Sequence, residues 1–221
     1  MQNCFKIFSA ASIAAALLAA PVALLADDHS PLEDASFEKG LSAEDGGWGR
    51  FENSLFSNSQ ARTGSHSMYN GGLSKTVAYP PYFVGTVAGS FQEFPAEAGS
   101  RWRLTGYGMT VAKLLGTPAF GVVQISFFDA DGNDLGTVET VDNMARAKTS
   151  NEINNQSPVG EWVFLDTGIA TAPEGTAAVQ AFTIYVDFSG SNTAQGVYFD
   201  DLALCAVTGE DDEGSDLCDA E

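Results

Sequence analysis

Beyond residue 26 no apolar pattern of helical period runs far enough to make a useful helix, and apolar residues recur at every second position instead. Arg101–Tyr107, Val122–Phe128, Glu161–Asp166, Val179–Phe188 and Val197–Leu204 read as strands. Glycine-rich turns, such as Ala172-Pro173-Glu174-Gly175, separate them. Short strands of this kind each have a face to bury, and they bury it by stacking in layers. The expected fold is all-β, a two-sheet antiparallel β-sandwich of jelly-roll type spanning residues 27–206.

Within that pattern, Val197-Tyr198-Phe199-Asp200-Asp201-Leu202-Ala203-Leu204 carries two adjacent acids in an apolar strand. An ionised carboxylate on the core side must be paired, hydrogen-bonded or metal-bound. A second acid in an apolar setting, Glu38, stands near the other end of the domain. A calcium ion, which takes several oxygen ligands, could join the two ends there. The alternative is that one acid points to solvent while the other caps a turn.

Residues 1–26 read as a secretory signal, with Lys6 ahead of an alanine-rich apolar run that Pro21 interrupts, too short for a membrane span. The mature protein is therefore expected to be secreted or periplasmic, without a membrane span, and monomeric. Cys205 and Cys218 would then meet an oxidising compartment, where a disulfide is the default state. Their bond would fold the acidic tail, 207–221, back onto the last strand. A net charge of −19, from 10 basic and 29 acidic residues, excludes nucleic acid as the natural partner and disfavours polyanions. Neutral ligands remain open. Asp129-Ala130-Asp131-Gly132-Asn133-Asp134 has the acids of a calcium loop but Thr140 at its twelfth position, so a hairpin turn is expected.

In order along the chain come Ser36-Phe37-Glu38-Lys39-Gly40, Thr63-Gly64-Ser65-His66-Ser67, Phe91-Gln92-Glu93-Phe94, Arg101-Trp102-Arg103-Leu104, the acidic hairpin, Trp162, Pro173 and Tyr198-Phe199-Asp200-Asp201-Leu202. This succession resembles the cellulose- and xylan-binding jelly-roll carbohydrate-binding modules of the galactose-binding-like fold, over about residues 32–204. The resemblance implies a structural calcium held by Glu38, main-chain oxygens near Ser65 to Ser67, and Asp200 or Asp201. It also implies a core position for Trp102.

Sugar binding in such modules uses aromatic rings on an open face with polar side chains beside them. Alternation places Arg103, Tyr107, Gln124, Phe128, Tyr185 and Asp187 opposite the apolar positions of their strands, and these six form the expected ligand patch. Tyr79-Pro80-Pro81-Tyr82-Phe83 is a second candidate. The functional expectation is a secreted, non-catalytic protein that binds a neutral polysaccharide or oligosaccharide. A surface or matrix adhesion protein is the alternative, and a jelly-roll glycoside hydrolase is less favoured because no pair of carboxylates is marked out.

Overall fold

The computed structural model describes residues 30–39, 47–72, 77–79, 83–115, 118–140, 147–188 and 195–207. The signal segment, Cys218 and most of Tyr79–Phe83 lie outside these residues. The described elements are twelve strands: β1 (Gly49–Phe51), β2 (Ser54–Ser57), β3 (Ser67–Gly71), β4 (Val77–Tyr79), β5 (Phe83–Pro95), β6 (Arg101–Met109), β7 (Ala119–Phe128), β8 (Asp134–Gly136), β9 (Lys148–Thr149), β10 (Val163–Thr171), β11 (Ala178–Asp187) and β12 (Gly196–Ala206). Among the described residues no helix is long and apolar enough to cross a membrane.

The strands form two antiparallel sheets. One, seven-stranded, runs β1-β5-β11-β7-β8, with β4 added on β5 and β9 on β7. The other, five-stranded, runs β10-β6-β12-β3-β2. The acidic hairpin forms as the alternation demands: Asp129 closes the β7–β8 turn, its Oδ1 accepting from the main-chain N–H groups of Asp131 and Asn133. Gly132 takes a φ of 78°, the left-handed value that such a turn assigns to glycine.

Between the sheets lie Met68, Trp102, Leu104, Phe199, Leu202 and Leu204 from the five-stranded side and Val123, Ile125, Phe127, Val179, Ala181 and Tyr185 from the other. A polar link crosses this core. Asn70 of β3 donates from Nδ2 to the Thr183 carbonyl of β11 at 3.0 Å and to Thr183 Oγ1 at 2.8 Å. Ser90 Oγ joins Thr183 Oγ1 at 2.7 Å. Ile153 is fully buried beside β7, where its main chain pairs with Gly121, and helps close one flank of the sandwich.

Two expectations from alternation are corrected here. The period along β11 is as read, but its direction is reversed: Tyr185 is 0% exposed and belongs to the core, and Asp187 is 4% exposed. Ile184 and Val186, expected inside, join Val122 in a separate apolar cluster on the outer face, with Val87, Phe120, Phe182 and Phe188 around it. Secondly, β6 belongs to one sheet while β7 and β11 belong to the other, so the six proposed ligand residues cannot share a surface. Trp102 is buried, as the resemblance implied, whereas Trp162 is half-buried just before β10.

A fully buried tyrosine fills much more volume than alanine. Tyr185→Ala should therefore destabilise the domain by about 3–5 kcal/mol in denaturant titrations. Unchanged stability would return Tyr185 to the surface.

Candidate functional site

The outer face of the seven-stranded sheet is set by register. One row across it reads Gly49, Phe91, Phe182, Gln124 and Thr149, since Gly49 pairs with Phe91, Phe91 with Phe182, Phe182 with Gln124 and Gln124 with Thr149. The next row reads Phe51, Gly89, Ile184 and Val122. On the other side of the first row stand Glu93, Gln180 and Ser126. Phe51, Phe91 and Phe182 are half-buried, so part of each ring reaches solvent.

The two glycines determine how the rings sit. A Cβ on Gly49 would lie 2.6 Å from the Phe91 ring, and one on Gly89 would lie 2.6 Å from the Phe51 ring. Each ring therefore leans across the neighbouring strand onto bare backbone, a pairing known to support glycine in sheets. Phe91 and Phe182 meet at 5.8 Å between centroids with planes 38° apart. Three rings thus form a low apolar strip. Beside it, Gln180 Nε2 donates to Glu93 Oε2 at 2.5 Å, and the Gln124 carboxamide is half-exposed.

Of the residues expected to bind ligand, Gln124 and Phe128 lie on this face. Arg103 and Tyr107 lie on the outer face of the five-stranded sheet, and Tyr185 and Asp187 lie inside. Arg103 holds Asp166 in a two-pronged ion pair, Nε to Oδ1 at 2.9 Å and NH2 to Oδ2 at 2.6 Å. That pairing keeps the Asp166 carboxyl below its usual range. Phe51, Phe91 and Phe182 escaped the sequence reading. The signal that could have found them is the pair of glycines at strand positions, which marks sites where a ring can lie down.

The paired acids of β12 occupy a β-bulge. Asp200 faces Tyr107 and Ala203 faces Thr105, so β12 carries one residue more than β6 between them. Asp201 takes the extra position at φ 48°. This keeps Phe199 and Leu202 in the core while both carboxylates reach the loop that precedes β3. Asp200 Oδ2 accepts from the main-chain N–H of Arg62 at 2.7 Å, and its Oδ1 from that of Asp201 at 2.8 Å. Asp201 accepts from Arg62 NH1 at 2.6 Å and from Thr63 Oγ1 at 2.5 Å.

Glu38 grips the far part of the same loop. Its Oε1 accepts from the N–H groups of Ser65 at 2.9 Å and His66 at 2.7 Å, and its Oε2 from Ser65 Oγ at 2.9 Å. Gly64 lies beneath it at φ 60°, and a Cβ there would come within 2.4 Å of this carboxyl, so a side chain would push Glu38 out of its hold on the loop. Ser67 Oγ donates to the Gln60 carbonyl at 2.7 Å, closing the loop on itself. The acids at the two ends of the domain therefore hold one loop between them. Cys205 is buried at the end of β12, and its expected partner Cys218 lies outside the described residues.

Desolvation pushes the Asp200 carboxyl up to about 7, reinforced by the neighbouring Asp201 charge and opposed by the N–H donors of Arg62, Asp201 and Thr63. A folded-state value above the unfolded one means that the native protein binds the proton more tightly. Stability should therefore fall as pH rises from about 4 to about 7 in chelated buffer, and Asp200→Asn should remove that contribution. Melting curves across this range test it. A wild type whose profile matches that of the Asn variant contradicts it.

The fold and surface define a jelly-roll sandwich with an aromatic strip on one outer face. No family model matches the chain, and no curated protein sequence matches it. Solved structures do. An arabinose-bound α-L-arabinofuranosidase, MgGH51, aligns with 82% of this chain at 11% identity and a TM-score of 0.50, the aligned part being 27% of that enzyme. The CBM22-1 xylan-binding domain of Paenibacillus barcinonensis Xyn10C aligns at 16% identity over 79% of this chain and 93% of its own, with a TM-score of 0.48. TmCBM61, in complex with β-1,4-galactotriose, aligns at 13% identity over 80% and 99%, with a TM-score of 0.46. At 11% identity the likeness to the arabinofuranosidase is one of fold alone.

Proposed function

We propose that the protein is an exported, non-catalytic carbohydrate-binding protein that takes a neutral polysaccharide along the outer face of the seven-stranded sheet. The observation that carries this reading is the aromatic strip in which Phe91 leans on Gly49, Phe51 leans on Gly89 and Phe182 packs against Phe91. Pyranose rings present apolar C–H faces that pack on aromatic rings, and amide and hydroxyl side chains beside the strip can hydrogen-bond their hydroxyls. Gln124, Gln180 and Thr149, each reaching solvent, supply these. A net charge of −19 disfavours an anionic chain. The jelly-roll modules that share the fold, described as xylan-binding or seen with β-1,4-galactotriose, agree with the choice of a glycan.

Catalysis of glycoside cleavage needs two carboxylates facing across a cleft, roughly 5–10 Å apart. Within the three rows that carry the strip, the described residues include one carboxylate, Glu93, and it is engaged by Gln180. Affinity electrophoresis through xylan, β-glucan, galactan and mannan tests the reading. Wild type should be retarded by at least one of them without releasing reducing sugar, and Phe182→Ala should lose about 1–2 kcal/mol of affinity. Retardation by none would leave protein contact, as in an adhesion module, as the use of this face.

A calcium ion at the gripped loop belongs to the same proposal. Glu38, Asp200 and Asp201 all hold residues 62–66 against one guanidinium, that of Arg62, but among the described residues no three acids or histidines stand close enough together to hold a metal as placed, so calcium would have to draw Glu38 and the Asp200–Asp201 pair together. Glu38, Asp200 or Asp201, with oxygens of Ser65 and Ser67, would hold it, and it would lock the loop to both ends of the domain. Calcium should raise the melting temperature and EDTA should lower it, because a ligand bound only by the folded state stabilises that state. A melt indifferent to both removes calcium from the account. The disulfide between Cys205 and Cys218 is likewise proposed, and thiol labelling of the unreduced, denatured protein should find neither cysteine reactive.

A further inference from the structure

The two expected ligand residues on the five-stranded sheet sit in a second aromatic surface. Phe164 of β10, an edge strand, is 47% exposed. It pairs in register with Tyr107 of β6, and the rings meet edge to face, with centroids 5.4 Å apart and planes at 63°. The Arg62 guanidinium lies over the Tyr107 ring at 3.5 Å from its centroid. It is pinned there by Asp201, which the β12 bulge directs toward it. On the other side, Asn151 is exposed and donates to the Phe164 carbonyl at 3.0 Å. Next to it stands the Arg103–Asp166 pair.

We infer that this Tyr107–Phe164–Arg62 surface is a second glycan platform, so that one domain holds two neutral chains on opposite sides. An exposed phenylalanine on an edge strand stabilises little core, yet its ring is set against a tyrosine whose neighbour, Arg62, is fixed in place from two directions. Asp201 balances the Arg62 charge and Asp166 that of Arg103, so the surface offers polar edges without attracting an anion. Aromatic rings framed by a guanidinium and a carboxamide suit a pyranose with its hydroxyls at the rim. The inference rests on the glycan reading of the first face and adds bivalency to it.

The test is isothermal titration of the full chain with neutral xylan-, glucan-, galactan- and mannan-derived hexasaccharides. For the sugar that binds, wild type should show two sites per chain. Phe164→Ala should show one, with an unchanged melting temperature; Phe182→Ala should also show one, and the double variant none. Phe164→Trp should keep both sites, and the second should weaken about tenfold or more in Arg62→Gln. Wild type with a single site that Phe182→Ala abolishes and Phe164→Ala leaves untouched overturns the second platform alone. Loss of binding in Phe164→Ala with none in Phe182→Ala supports this platform and overturns the first. Binding of no hexasaccharide overturns both, and a fall in melting temperature with two sites retained in Phe164→Ala makes the ring structural.

Discussion

The bulge at Asp200 and Asp201 resolves a conflict that the strand could not otherwise satisfy. β12 must place Phe199, Leu202 and Leu204 in the core, yet it carries two adjacent carboxylates. One inserted residue, at φ 48°, directs both acids to the outer side, where main-chain N–H groups, a hydroxyl and a guanidinium receive them. A buried carboxylate without such donors would be far more costly. The consequences reach well beyond the strand. The loop preceding β3 is held there, Glu38 grips it from the other end of the chain, and Arg62 is delivered onto Tyr107.

The strands were legible because alternation survives wherever one face of a strand is buried. β6, β7, β11 and β12 fall where the pattern placed them, and the Asp129 hairpin follows from its turn residues. Which side of β11 faces inward was not legible. Phe182, Ile184, Val186 and Phe188 make the more apolar side, and a single sandwich core would claim them. Here the outer face bears its own apolar cluster, and the interior accepts Tyr185 and a polar link through Thr183. Nor does sequence order reveal that β6 and β7, joined by one connection, lie in opposite sheets. Pairing of distant strands decides that, and it separated Tyr107 from Gln124.

The two outer faces use their aromatic residues differently. On the seven-stranded sheet, rings recline on glycine backbone and form a strip that follows a row of register partners. On the five-stranded sheet, Phe164 and Tyr107 meet edge to face beside a charged cluster fixed by the bulge. The first arrangement suits an extended chain crossing the strands. The second is more compact and suits one or two sugar units.

The central claim is that a neutral glycan lies along Phe51, Phe91 and Phe182. Residue-resolved NMR titration of the isotopically labelled protein with a binding oligosaccharide tests it most directly. The account predicts that the largest shifts cluster at Gly49, Gly89, Phe91, Phe182 and Gln124, across β1, β5, β11 and β7. Saturable shifts confined to the turns at the ends of the sandwich, with these positions unmoved, would contradict it.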